Sequence, residues 1–255
     1  TRDDVYKVMN RRFSDWLRRP LASITKLDCL NRFQDIKLAI KRNNRQKNRS
    51  SSNPIGEGEA QKAFRYLTAI FNSFAEEDIG DERLLPKGNP CSILKAKKVR
   101  KILKPRDRFL DLRQRNVLHD HLQLVGLEQT QGVIRTTCDD RDLIWLLIHC
   151  GLRLEEALSL KWDSVDLMNE RYTVFNTKNS RDHTLPMTDN TKLIFERRIS
   201  QGNKYVFQSN VRKLKPITAS KTFKRVSEEI GFTFTAHDLR RTVATVAAER
   251  GYDIN

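Results

Sequence analysis

One stretch near the end of the chain, TAHDLRRT at residues 235–242, decides how the rest of the sequence is interpreted. Thr235 is a suitable N-cap, and Asp238 follows three residues later as the acidic partner of a capping box, so a helix is predicted to begin here. On that helix His237 and Arg240 share one face. The positive helix end, an imidazole and a guanidinium group together favour phosphate binding. A capped amphipathic helix with solvated arginines is the alternative.

A phosphodiester site needs several fixed cations, and two further stretches supply them. HCGLRLEEALSLKW at residues 149–162 predicts a helix that ends at Gly151, a turn that holds Arg153, and a second helix that begins with paired glutamates. TKNSR at residues 177–181 predicts a polar turn between two short strands, and it carries Lys178. Taken singly, Arg153 could be only a positive charge at a helix C-terminus, and Lys178 could be an ordinary lysine at a hairpin tip.

Together the three stretches resemble the catalytic domain of the tyrosine recombinases, the phage integrase family. That family shows an arginine in a Gly-Leu-Arg-x-x-Glu turn, a lysine on a β-hairpin, and a His-x-x-Arg at a helix start, followed by a tyrosine nucleophile. The chain matches the first three in this order, with Arg153 and Glu156, then Lys178, then His237 and Arg240. The resemblance implies a site-specific enzyme that cleaves and rejoins DNA through a 3′-phosphotyrosine intermediate.

The resemblance also gives each residue a role. Arg153 and Arg240 are expected to bind the non-bridging oxygens of the scissile phosphate, because a guanidinium group donates two hydrogen bonds and keeps its charge. Lys178 is expected to protonate the leaving 5′ oxygen, and His237 to donate to the phosphate or assist proton transfer. Glu156 is expected to hold an arginine rather than to react. No metal and no cofactor is required, because the guanidinium groups supply the positive charge.

The tyrosine is where the sequence departs from the family. Its place, on a helix well beyond the His-x-x-Arg motif, would fall past Asn255. Tyr252 follows Arg240 by only twelve residues and is predicted to belong to the end of the same helix. We therefore expect a chain truncated before its nucleophile, which binds DNA without cleaving it. The chain also begins at Thr1 rather than at methionine, which suggests an excised piece.

The charge of the chain is uneven. Its 255 residues carry 48 lysines and arginines against 32 aspartates and glutamates, a formal net charge of +16. Residues 1–105 contribute +12 of this excess and the remainder +4. A basic front half predicts a module that grips a polyanion, with double-stranded DNA as the partner. A charge excess can also serve solubility alone.

Apolar residues recur at helical intervals over residues 5–49 and 59–75, so the first domain is predicted to be helical. It is similar to the core-binding domain that precedes the integrase catalytic domain. Its cations at helix ends and in the basic stretch 95–108 are the predicted DNA contacts. They are Arg42, Arg45, Lys47, Arg49, Lys62, Arg65, Lys97, Lys98, Arg100 and Lys101.

The predicted fold is mainly α, with a small antiparallel β-hairpin in the C-terminal domain. We expect a SAM-like helical bundle at residues 1–94, a basic interdomain linker at 95–108, and an α+β integrase-type catalytic domain at 109–255 that lacks its C-terminal part. The hairpin is expected at residues 171–175 and 183–187. Pro186 should confine its second strand to a sheet edge.

The cysteines, Cys29, Cys91, Cys138 and Cys150, form no close pair in the sequence, which predicts neither a disulfide framework nor a zinc site. A reducing compartment fits this pattern. The longest apolar run, at residues 143–148, is far shorter than the ~20 residues that span a bilayer. The resemblance implies the cytoplasm of a bacterial or phage-infected cell, with no membrane partner.

The resemblance further implies a homo-oligomer on DNA, a tetramer during strand exchange, and accessory DNA-bending proteins as partners. Two other classes stay open at this point. A type IB topoisomerase-like enzyme shares the same chemistry of the site, although the short helical first domain and the His-x-x-Arg form favour the recombinase. A non-catalytic, sequence-specific DNA-binding protein is the other class.

Overall fold

A computed structural model gives the fold of the chain. It describes residues 2–46, 56–75, 78–79, 82–85, 87–103, 108–127, 134–175, 182–199, 203–211 and 214–252. The chain divides into two compact units, residues 1–106 and residues 107–255. Each unit has its own hydrophobic core.

The first unit is built from helices. Those described are α1 (Arg2–Phe13), α2 (Lys26–Gln46), α3 (Glu57–Phe74) and the short α4 (Ile93–Ala96), with 3-10 turns at Leu21–Ser23 and Pro90–Ser92 and a two-stranded ribbon of β1 (Asp78–Ile79) and β2 (Glu82–Arg83). Phe64 of α3 packs edge-on against Phe13 and Phe33, at ring-centroid distances of 5.4 and 5.5 Å. The predicted helical first domain is confirmed.

The second unit is mixed. Its described helices are α5 (Leu112–Leu124), α6 (Cys138–Cys150), α7 (Leu154–Ser159), α8 (Asp189–Arg198), α9 (Thr222–Ile230) and α10 (Ala236–Glu249). A three-stranded antiparallel sheet has the order β3 (Val165–Asp166), β4 (Arg171–Val174), β5 (His183–Pro186). Pro186 lies on an edge strand, as predicted, because a proline cannot donate to a ladder. The mainly helical fold with a small sheet is confirmed.

Helix α6 is the centre of the second core. Leu143, Ile144, Leu146 and Leu147 are fully buried, so the apolar run seen in the sequence lies inside this core. It packs against α8 and α10. This packing brings the C-terminal end of α6 to the helix that carries the His-x-x-Arg motif.

Several details differ from the sequence-based expectations. Strand β3 was not predicted, because a strand of two residues is too short to show a periodic pattern. Helix α8 starts at Asp189, and Thr188 caps it by accepting the amide of Thr191 at 3.3 Å. Residues 95–106 of the basic stretch 95–108 are grouped with the first unit. None of the described helices has the length and apolarity needed to cross a membrane.

Candidate functional site

The start of α10 is fixed by the capping box that its sequence predicts. Thr235 accepts the amide of Asp238 at 3.3 Å, and the Asp238 carboxylate accepts both the amide and the hydroxyl of Thr235 at 2.9 Å. Arg108 adds two hydrogen bonds to the same carboxylate oxygen, at 2.7 and 3.1 Å. Asp238 is almost completely buried. The helix start that presents His237 and Arg240 is therefore held from two sides.

Replacing Asp238 by alanine should destabilise the second unit, because it removes the carboxylate half of the capping box and leaves Arg108 without its partner. We expect the free energy of unfolding to fall by about 2–3 kcal/mol, less than for a fully buried pair since Arg108 is half-exposed. Urea unfolding would measure the loss. Asp189→Ala is the matched control, an exposed first-turn aspartate of α8 that should change stability by less than about 0.5 kcal/mol. Equal losses would contradict the structural role of Asp238.

The Arg153 turn is organised by Gly151 and Glu156. Gly151 ends α6 in the left-handed conformation, with φ of 61°, as predicted. A Cβ atom there would lie 3.3 Å from the Val243 side chain, so glycine also permits α6 and α10 to approach closely. Glu156 accepts the backbone amide of Arg153 at 2.9 Å and its guanidinium at 2.8 Å. The carboxylate thus fixes both the backbone and the side chain of Arg153.

Arg240 reaches the same turn from α10. Its guanidinium Nη1 donates to the carbonyl oxygen of Gly151 at 2.5 Å. Burial by itself would raise the pKa of Glu156, but the hydrogen bonds from Arg153 and the charges of Arg153 and Arg240 outweigh it and lower that pKa. Two residues 87 positions apart in the sequence therefore place their positive charges around one carboxylate. Arg153 stays partly exposed, so its remaining donors can meet a ligand.

His237 is exposed at the first turn of α10, about 4.5 Å along the helix axis from Arg240. Its Nε2 accepts a hydrogen bond from Arg241 Nε at 3.1 Å. A ring nitrogen that accepts carries no proton, so this contact leaves Nδ1 as the donor of the neutral ring. Arg241 was not predicted as a site residue, although its position four residues after His237 on a helix predicts such a contact.

The structure therefore brings together Arg153, Glu156 and Arg240, with His237 on the same helix start. Lys178 lies outside the described residues, and its role stays a prediction. Within the described ranges, no three His, Cys, Asp or Glu side chains are grouped so that they could hold a metal ion.

The basic stretch of the first unit has a fixed backbone at its beginning. Helix α4 ends in a Schellman motif, in which the amide of Val99 donates to the Leu94 carbonyl at 3.1 Å and the amide of Lys98 to the Lys95 carbonyl at 3.0 Å. Lys98 occupies the left-handed position, with φ of 51°, where glycine is the usual residue. Val99 packs onto the core, whereas Lys97 and Lys98 are exposed.

Glu57 holds the next part of this stretch. Its side chain is fully buried at the start of α3 and accepts the backbone amide of Lys101 at 3.0 Å. Gln61 donates to the carbonyl oxygen of Lys101 at 2.7 Å, and Lys37 pairs with Glu57 at 2.8 Å. The side chains of Arg100 and Lys101 are exposed. Four predicted DNA-contacting cations thus extend from a backbone that is attached to the first unit.

The other predicted DNA contacts are less uniform. Arg42 and Arg65 are exposed on α2 and α3. Lys62 is only half-exposed and forms an ion pair with Asp4 at 2.9 Å, so part of its charge is already compensated within the unit. Arg45 lies in α2, but the structure does not describe its side chain, and Lys47 and Arg49 lie outside the described residues.

The turn that holds Arg153 and the start of α10 lie next to each other, and each carries a guanidinium group. Two such groups at one place define a site suited to a phosphate group. A model of the phage integrase family matches residues 122–255, more than half of the chain. The chain therefore belongs to the phage integrase family. The matched region contains Arg153, Glu156, Lys178, His237 and Arg240.

A comparison with an individual relative agrees with this assignment. The tyrosine recombinase XerA of Saccharolobus solfataricus is 35% identical over 115 residues, which cover 45% of this chain and 38% of that protein. The chain thus matches well under half of this relative's length.

Two solved structures show the same fold. The Tn1549 transposon integrase in complex with transposon right end DNA has a TM-score of 0.67 and 19% identity, and the alignment covers 99% of this chain and 82% of that one. The lambda integrase tetramer bound to a Holliday junction has a TM-score of 0.63 and 16% identity, with 98% and 67% of the two chains covered. At this identity the likeness establishes the fold alone.

Proposed function

We propose that the chain forms the DNA-binding and phosphate-activating part of a site-specific DNA recombinase that cleaves and rejoins DNA through a 3′-phosphotyrosine intermediate. The observation that carries this proposal is the convergence of Arg153 and Arg240 at one turn, with Glu156 between their charges. Two guanidinium groups at one place can bind the non-bridging oxygens of a phosphate and stabilise the charge that develops on them.

The proposed reaction is an in-line displacement at phosphorus. A tyrosine hydroxyl releases its proton to solvent as its oxygen attacks, the bond to the 5′ oxygen breaks, and the 3′ phosphate becomes linked to the tyrosine. Lys178 would donate a proton to the leaving 5′ oxygen, and Nδ1 of His237 would donate a hydrogen bond to the phosphate. Glu156 acts through Arg153, which it holds by the backbone and the side chain. The two guanidinium groups supply fixed positive charge that needs no reorganisation during the reaction.

The partners follow from the same reaction. Duplex DNA carrying a specific site is the substrate. The helical first domain at residues 1–94 and the basic stretch 95–108 would provide most of the cationic contacts. Residues 109–255 would provide the catalytic residues. Strand exchange between two duplexes requires several active sites, so we propose a homo-oligomer that acts as a tetramer, with accessory DNA-bending proteins as further partners. The proposed place of action is the cytoplasm.

A nicked suicide duplex carrying the cognate site tests the proposal on the full-length gene product. A recombinase becomes trapped as a protein–DNA adduct that survives a denaturing gel and rejoins only a matched partner strand. Relaxation of supercoiled DNA without exchange between sites would indicate the topoisomerase-like class. Specific binding with no adduct would indicate a non-catalytic DNA-binding protein, and either result would overturn the recombinase proposal.

The 255-residue chain should bind such a duplex without forming an adduct. Tyr6 and Tyr66 belong to the first unit, and Tyr172 is fully buried within the sheet. Tyr205 itself forms an isolated antiparallel β-bridge with Lys161. Tyr252 is exposed, but it follows the end of α10, where its amide donates to the Ala247 carbonyl at 3.0 Å, so its backbone lies at least about 10 Å along the helix from Arg240.

A denaturing gel after incubation with the suicide duplex measures the outcome, with a mobility-shift assay to show that binding is intact. An adduct formed by this chain and lost on Tyr252→Phe would show that this tyrosine is the nucleophile after all. Tyr6→Phe, on the other unit, is the matched control and should leave any such band unchanged.

A further inference from the structure

Two cysteines that are far apart in the sequence lie together in the core of the first unit. Cys29 is in the first turn of α2, and Cys91 is in the 3-10 turn Pro90–Ser92 that leads into α4. Their sulfur atoms are 3.9 Å apart, and both side chains are buried. We propose that Cys29 and Cys91 form a modification site, a dithiol that a small peroxide converts into an intramolecular disulfide.

The geometry allows the bond to form with little movement. A disulfide has sulfur atoms about 2.05 Å apart, so the pair must close by about 2 Å, which side-chain rotation and a small backbone shift can supply. The Cys91 backbone is held in position, because its amide donates to the Asn89 side chain at 2.9 Å. Cys138 and Cys150 belong to the second unit, so they are controls for unspecific oxidation.

The two thiols have different environments. The hydrogen bond shared with Cys29, together with Thr68 and the charge of Arg100, lowers the pKa of Cys91 although burial opposes this. The shared hydrogen bond, burial and the neighbouring Asp28 raise the pKa of Cys29. Since the thiolate is the reactive form, Cys91 is the thiol that reacts first and Cys29 the one that resolves the intermediate.

The oxidant must be small, because both sulfur atoms are buried. A peroxide is small enough to reach them on local opening of the core, whereas a bulky disulfide such as oxidised glutathione is not.

The chemistry balances with one peroxide. The Cys91 thiolate attacks one peroxide oxygen, the O–O bond breaks, and a sulfenic acid and hydroxide form, which takes up a proton to give water. The Cys29 sulfur then attacks the sulfenic sulfur, the S–S bond forms, and the oxygen leaves as a second water with the Cys29 proton. The two thiols lose two electrons in total, and one peroxide is reduced to two waters.

The bond would join the start of α2 to the segment that precedes the basic stretch, across more than sixty residues. Closing so long a loop restricts the unfolded chain, so the oxidised first unit should resist thermal unfolding. The effect should disappear when dithiothreitol reduces the bond.

Peptide mapping tests the proposal directly on the reduced chain after treatment with hydrogen peroxide. Trypsin should release peptide 27–32 linked to peptide 88–95, with a mass two hydrogen atoms below the sum of the two. The linked peptide should disappear with dithiothreitol and be absent from Cys29→Ala and Cys91→Ala. The double variant Cys138→Ser, Cys150→Ser should still form it and should show the reversible rise in melting temperature.

Three results would overturn the inference, and none depends on the folding of a variant. The first is sulfinic acid on Cys91 without any linked peptide. The second is oxidation of Cys138 alone while both buried thiols stay reduced. The third is an equal yield of the linked peptide when the chain is oxidised in concentrated urea, because the native contact would then not be what brings the two thiols together.

Discussion

Arg240→Ala in the full-length gene product should reduce the rate of DNA cleavage by roughly 10²–10³, the loss measured when one donor to a developing oxyanion is removed. The same substitution should leave duplex binding nearly intact, with the salt dependence of affinity falling by about one phosphate contact. The reason is that Arg240 is proposed to act mainly on charge that develops in the transition state. Arg153→Ala should behave in the same way, since its guanidinium lies at the same turn.

Two further variants separate chemistry from structure. Arg240→Lys keeps the charge but replaces the planar fork, so it should recover only part of the lost rate. Arg250→Ala, at the end of the same helix and about 15 Å from Arg240, removes the same charge and should leave cleavage unchanged. Single-turnover cleavage of a suicide duplex gives the rates, and urea unfolding shows whether each variant is folded. Wild-type cleavage by Arg240→Ala would contradict the assignment of this residue.

Local sequence signals predicted much of the fold correctly. Capping residues mark where α10 begins, because Thr235 and Asp238 satisfy the free amides of the first turn by themselves. Gly151 marks where α6 ends for an equally local reason, its left-handed backbone. The strand β3 could not be predicted, because its two residues gain their structure from pairing with β4 and not from their own pattern.

The candidate site was predictable in composition but not in geometry. Spacing places His237 and Arg240 on one helix face, and it places Glu156 within reach of Arg153. It does not say that Arg240 donates to the Gly151 carbonyl, because that contact depends on how α6 packs against α10. The contact of Arg108 with Asp238 spans 130 residues and carries no sequence signal. The buried Cys29–Cys91 pair was missed for the same reason.

For the basic stretch, composition predicted exposed cations, and the structure shows the contacts that hold their backbone. Lys98 adopts a left-handed backbone that costs a non-glycine residue about 1–2 kcal/mol. Glu57 holds the backbone of Lys101 from the core. A flexible basic connector needs neither feature. We infer that the backbone carrying Lys97, Lys98, Arg100 and Lys101 is held in place, which lowers the backbone entropy that would be lost on contact with a phosphate backbone.

The affinity of the chain for duplex DNA should accordingly fall steeply with salt. Neutralising roughly 6–10 phosphates releases their counterions, and affinity should drop about 10³–10⁵-fold between 50 and 200 mM salt. Many cations of the first unit are already paired internally, for example Arg19 with Asp28 and Arg32 with Asp15. Lys97, Lys98, Arg100 and Lys101 take part in none of the ion pairs found among the described residues. They should therefore supply a large share of the slope.

Replacing these four cations by alanine should lower the slope of log affinity against log salt by about 3–4, since each phosphate contact contributes about 0.9. The control removes the same charge from four exposed positions of the first unit outside the stretch, Lys7, Arg18, Lys26 and Lys87. It should change the slope much less. Lys98→Gly alone should lower the slope by about one while stabilising the fold, because glycine relieves the left-handed backbone. Fluorescence anisotropy titrations at several salt concentrations give the slopes, and equal slopes for the two fourfold variants would mean that the basic stretch does not touch DNA.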